Sequence, residues 1–296
     1  MIDLQKISFL CLMLCTFQSI LACDICSCGA SNNTSFTSGL NSNYMGLSYN
    51  YVHFTYKEGI VENSPTANDY IHTVTILGQY FITEKIQVNA VIPYRFNKRE
   101  ASTGTVKNNG LGDATLYGLL SLLHKESKHS LKIGAGLKLP TGTFNLQRAT
   151  INQTSATQLG TGSLDMLFPF QYRYEYKKVA FSANGAYFIK NKNSDNFKYG
   201  NQTQLNFNVA YAVPLKKNNT ITPSLGINYD NFKPTERFGI VDKRTSGFMT
   251  NANLGLKANI DTWVVGINYQ APIHQKLIED EVRFEKSVGV FTYYRF

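Results

Sequence analysis

Three cysteines fall within six residues, Cys23-Asp-Ile-Cys26-Ser-Cys28, and none follows them in the chain. Thiolates at this spacing can converge on a soft ion such as Cu(I) or Zn(II). Three sulfurs are few for a structural zinc site, and no His-x₃₋₅-His pair follows. In an oxidising compartment the same residues give a local disulfide with one sulfur left over. Apart from that ion, nothing in the sequence implies a cofactor. A second set of candidates is charged or polar and alternates with apolar neighbours: Arg95, Lys132, Lys138, Asp165, Gln171, Arg173, Lys257 and Arg295. Lining a water-filled interior, six cations against one anion would favour anionic solutes by Coulomb attraction. The five histidines, His53, His72, His124, His129 and His274, are scattered, and no Gly-x-Ser-x-Gly occurs. A nucleophile, a base and an orienting group are therefore not gathered, and the chain does not read as an enzyme.

Strands must position these side chains. Leu164, Met166, Phe168, Phe170, Tyr172 and Tyr174 alternate with Ser163, Asp165, Leu167, Pro169, Gln171 and Arg173. Leu205, Phe207, Val209 and Tyr211 alternate with Gln204, Asn206, Asn208 and Ala210, and Leu131, Ile133, Leu137 and Leu139 with Lys132, Gly134, Gly136 and Lys138. Period two over such lengths is the strand signal. It predicts strands near 43–56, 70–82, 86–97, 111–123, 130–140, 163–174, 179–190, 201–213, 220–231, 247–259, 263–272 and 286–296. Short connections at 83–85, 124–129, 175–178, 214–219 and 260–262 alternate with longer ones at 57–69, 98–110, 141–162, 191–200, 232–246 and 273–285. Five short and six long links are what twelve antiparallel strands require when both ends of the barrel chain lie on the short-turn side.

The alternation alone fits a soluble sandwich as well as a membrane barrel. Aromatic placement favours the barrel: Tyr172, Tyr174, Trp263, Tyr294 and Phe296 lie at strand ends on the apolar face, where an interfacial girdle needs amphipathic rings. The 296 residues include 18 Tyr and 19 Phe against one Trp, and the mean hydropathy is −0.21. Past the first two dozen residues no apolar run approaches the ~18–20 residues of a spanning helix. The net charge of +9 is dispersed rather than clustered on one helix or groove, which argues against nucleic-acid binding.

Residues 1–22 carry Lys6 and a short apolar core from Ile7 to Leu14, the pattern of a secretory signal peptide cleaved after Ala22. Ile20-Leu-Ala-Cys23 also resembles a lipoprotein cleavage box, which would acylate Cys23. Residues 23–42 then form a Cys-containing tether, and 43–296 the barrel. The final stretch, Lys286 to Phe296, alternates strictly and ends on Phe296 with Tyr294 two positions before it. This ending resembles the C-terminal signature of bacterial outer-membrane β-barrels. The resemblance implies recognition of Phe296 by the barrel-assembly machinery, with outer-membrane lipid and a small solute as the other partners.

Gly110-Leu-Gly-Asp113, Gly136-Leu-Lys-Leu-Pro-Thr-Gly142 and Leu159-Gly-Thr-Gly-Ser163 resemble, in order and approximate spacing, the motifs of outer-membrane transporters grouped under the MetA-pathway of phenol degradation. The resemblance implies an all-β, transmembrane, antiparallel up-and-down β-barrel and a channel or transporter of small solutes in the bacterial outer membrane. Both mature termini would face the periplasm and the long loops the exterior. The alternative is a metal-handling barrel whose Cys23, Cys26 and Cys28 capture Cu or Zn. The motif glycines themselves are accounted for by tight turns and close backbone approach.

Overall fold

The computed structural model describes residues 42–59, 64–123, 128–146, 158–216 and 219–296. Cys23, Cys26, Cys28 and the proposed signal peptide lie outside the described residues. The strands are β1 (Tyr44–Lys57), β2 (Thr66–Phe81), β3 (Ile86–Ala101), β4 (Gly104–Leu111), β5 (Thr115–Ser121), β6 (His129–Lys138), β7 (Asp165–Tyr176) and β8 (Val179–Ile189). They continue as β9 (Phe197–Lys198), β10 (Gln202–Tyr211), β11 (Val213–Pro214), β12 (Thr220–Phe232), β13 (Thr235–Arg237) and β14 (Ile240–Asp242). The last three are β15 (Gly247–Ile260), β16 (Trp263–Leu277) and β17 (Val282–Arg295).

Twelve of these close a ring in the order β1, β2, β3, β5, β6, β7, β8, β10, β12, β15, β16, β17, every neighbour antiparallel. The seam pairs the first strand with the last, from Tyr44↔Arg295 to Tyr56↔Val282, and leaves the barrel without an edge. The expected fourth strand, 111–123, is shortened to β5; β4, almost wholly within the expected 98–110 connection, and β5 both pair with β3, on either side of Gly112–Ala114. Pro169 lies in β7, and the β6–β7 ladder is interrupted between Ile133↔Phe170 and Gly136↔Leu167, where proline has no N–H to give.

Several stretches expected as long loops are strand instead. β2 starts at Thr66, β3 runs to Ala101 and turns into β4, and β16 and β17 meet across a 3₁₀ turn at Ile278–Asp280. At 14–16 residues these strands exceed the ~9–11 needed to cross a bilayer, so the barrel wall continues past the membrane as tall hairpins. They are held from inside. Val52, Phe54, Tyr56, Ala67, Ile71, Phe232, Met249, Leu277, Val282 and Phe284 form one buried apolar cluster at the long-loop end.

That cluster explains the mixed face of β1. Ser48 and Asn50 point inward with Val52, Phe54 and Tyr56, while Met45, Leu47 and Tyr49 are exposed outside. Along the axis the interior is layered. A second apolar group, including Tyr44, Leu77, Leu119, Val264, Phe291 and Tyr293, fills the half toward the short turns. Between the two lies a polar belt with Ser48, Asn50, Thr73, Asn253, Asn268 and Ser287. Outside, Leu116, Leu137, Phe168, Phe207, Ile227, Leu256 and Ile267 present the apolar surface that lipid requires. Trp263 and Tyr294 pair their rings at 5.2 Å at the short-turn rim, where the sequence placed a girdle.

Candidate functional site

On the side formed by β3, β5, β7, β8, β10 and β12 the barrel keeps an internal chamber of about 140 Å³. A wider vestibule, about 670 Å³, occupies the short-turn mouth between Ser42, Thr83, Lys132, Arg173 and Phe296. Gln171 and Asn184 line both, so the two spaces are neighbours along the lumen with these amides between them.

One wall of the chamber is a closed ionic clasp. Lys138 Nζ donates to Asp113 Oδ2 at 2.7 Å and Thr161 Oγ1 at 2.7 Å, and sits 2.9 Å from Asp165 Oδ2. An ammonium has three protons, and here each has an acceptor. Asp113 also accepts the backbone N–H of Thr161 at 2.8 Å and of Gly142 at 3.0 Å. Asp165 accepts Ser163 Oγ at 2.7 Å and the N–H of Asn191 at 3.0 Å. Asn193 Nδ2 reaches Thr161 O at 3.0 Å. The clasp thus fastens the link between β6 and β7 to the β4–β5 break and to the link after β8.

The glycines make that approach feasible. A Cβ on Gly142 would lie 2.8 Å from the Gly160 backbone, one on Gly160 would collide with Asp113 Oδ1, and Gly162 holds φ +68. Gly110 and Gly112 pack in the same way against Leu159 and Pro93. The three motifs, distant in sequence, therefore form one structure. Above it Phe144, Phe197 and Tyr199 make a small aromatic cluster, with Lys190 Nζ 5.6 Å from the Tyr199 ring centroid.

The residues selected from sequence divide between the two spaces. Arg95 lines the chamber and is buried, while Lys138 and Asp165 are bound to one another in the clasp. Lys132 belongs to the vestibule, where Nζ donates to Gln87 Oε1 at 2.7 Å and lies 5.3 Å from the Phe81 ring. Arg173 pairs with Glu175 at 2.5 Å, and Lys257 lies within electrostatic range of Arg173, Arg295 and Glu175. Arg295 donates to the carbonyl of Asp261 at the rim.

The sequence set omitted the carboxylates Asp113 and Asp230 and the cation Lys190, all lining the chamber. Asp113 stood in a recognised motif, and Asp230 shares the inward parity of Gly226 and Asn228. Those were the available signals. Of the histidines expected in connections, His129 opens β6 and His274 lies within β16. His53 and His72 are on the outer wall, where His53 stacks on Tyr70 at 4.9 Å and His72 Nδ1 meets Tyr49 OH at 2.7 Å. His124 lies outside the described residues.

A closed ring of twelve antiparallel strands with an apolar outer band and a polar layer within defines a transmembrane β-barrel of the outer-membrane type. The chain belongs to the family described as Putative MetA-pathway of phenol degradation, whose model matches residues 59–270. Among solved structures it is similar to an outer membrane channel from Pseudomonas putida F1, at 14% identity and TM-score 0.63, covering 86% of this chain and 96% of that one. It is also similar in fold to the beta domain of the Bordetella autotransporter BrkA, at 9% identity and TM-score 0.55, covering 86% of this chain and 100% of the other. No curated protein sequence matches it.

Proposed function

We propose that the protein is a passive outer-membrane channel for a small solute. The observation that carries this reading is the chamber and vestibule set next to one another inside a closed barrel, with Gln171 and Asn184 lining both. A barrel serving only as an anchor has no use for two adjacent internal spaces. The short turns face the periplasm and the long hairpins the exterior, as in barrels of this class. The vestibule is then the periplasmic mouth. Its charged lining is Lys85, Lys128, Lys132 and Arg173 against Glu84 and Glu175. The excess of cations at this mouth gives a mild preference for anions among small ions. Planar-bilayer recording of the purified barrel tests the proposal: conductance with a reversal potential displaced toward the anion supports it, and current without any anion bias would remove the charge argument.

A further inference from the structure

The chamber has two chemically different walls. Val91, Pro93, Tyr117 and Leu167, from β3, β5 and β7, supply hydrocarbon. Across from them, β10 and β12 present Gln202, Gln204, Asn206, Asn228 and Asp230. On this second wall hydrogen-bond acceptors exceed donors. Asp230 is 6% exposed and makes no ion pair among the described residues; its partners are the amides of Gln202, at 3.4 Å, and Gln204. Asn206 gives its amide N–H to Asn228, and its buried Oδ1 has no partner among the described residues. A hydroxyl reaching these oxygens would supply a proton to buried acceptors.

Three kinds of donor can reach these oxygens. An ammonium would meet Asp230 but also face Arg95, Lys138 and Lys190, which line the same space. An anion would be drawn to those cations, but its charged group has no proton to give to Asp230 or to the amide oxygens. Neutral hydroxyls avoid both penalties, since a hydroxyl can both donate to and accept from the Asp230 carboxyl and can donate to the Asn206 amide oxygen. An enclosed space of this order holds one six-membered ring.

We propose that the chamber is a selectivity site for small neutral solutes carrying two or more hydroxyls along one edge and hydrocarbon on the other, with Asp230 and Asn206 accepting the hydroxyl protons. This rests on the channel reading, yet binding and conduction can be tested separately. Saturation-transfer NMR on the detergent-solubilised full chain would compare rhamnose, a neutral 6-deoxyhexose, with glucosamine and glucuronate. Rhamnose should show saturable transfer at its ring and methyl protons, at least several-fold stronger than the two charged sugars. Asp230→Asn, which replaces an acceptor by a donor without changing shape, should weaken binding about tenfold. Lys107→Met, at an exposed lysine of β4 outside the chamber, should preserve it. Equal transfer to all three sugars, or a stronger signal from a charged one, overturns the proposal, as does an Asp230→Asn barrel that binds rhamnose as well as the unaltered protein. Binding without conductance would instead sink the channel and leave the site.

Discussion

Replacing Lys138 by Met removes the ammonium that holds Asp113 to Asp165. Both carboxylates are at least nine-tenths buried, and no other cation lies within ion-pair distance of either among the described residues. Breaking a buried pair by deleting one partner costs about 3–5 kcal/mol, because the remaining charge is left uncompensated. At about 1.4 kcal/mol per factor of ten, a loss near the middle of that range shifts the ratio of fastened to released clasp about a thousandfold. Protonation of one aspartate would recover part of it. The segment freed is the 158–164 stretch, which Thr161 and Gly142 hold against Asp113. Single-channel recording of Lys138→Met should therefore show longer or larger open events, and limited proteolysis should cut between β6 and β7 in folded barrel. Lys107→Met, at an exposed lysine of β4, serves as the control. Unchanged conductance together with unchanged protease resistance would refute the clasp. So would a simple change of ion selectivity at constant conductance, the behaviour of a free pore-lining cation.

Other substitutions read different parts of the structure. Gly160→Ala brings a Cβ against Asp113 Oδ1 and within 2.6 Å of Gly142 O, and should reproduce the protease sensitivity of Lys138→Met with a smaller effect on the thermal midpoint. Arg173→Glu alters the vestibule without touching the clasp, and should diminish or abolish anion bias in reversal-potential measurements while leaving unitary conductance within about a factor of two. Leu256→Arg on the lipid face should lower the unfolding free energy in lipid by about 2–4 kcal/mol, measured by urea titration. Deleting Phe296, whose N–H closes on Asn43 O at 3.1 Å, should reduce folded barrel in outer-membrane fractions, as judged by heat-modifiable gel mobility.

Strand number, closure and facing were legible because period two is imposed by backbone geometry and a lipid-exposed wall permits few exceptions. The alternation of Met166 and Phe168 with Asp165 and Leu167 gave the facing of β7 directly. Height above the membrane was not legible. Where a wall leaves the bilayer its outer face turns polar, as in Lys98, Glu100, Lys107 and Arg283. Such residues read as loop although the ladder continues and Phe54, Leu277 and Phe284 pack inside it. The site was half legible. Parity sets Lys138 and Asp165 apart from their apolar neighbours, but it gives direction and not distance. That the two meet, with Asp113 from 25 residues before Lys138, depends on a chain reversal no local pattern encodes. The three glycine motifs carried that information collectively, since each marks a point where backbones approach too closely for a side chain.

Conductance of the purified mature barrel in a planar bilayer is the most direct test of a solute pathway through this lumen. Discrete current steps that lengthen or grow in Lys138→Met are the predicted result. A silent membrane for both proteins, across a range of salts and with folded barrel verified in the same bilayers, would contradict it.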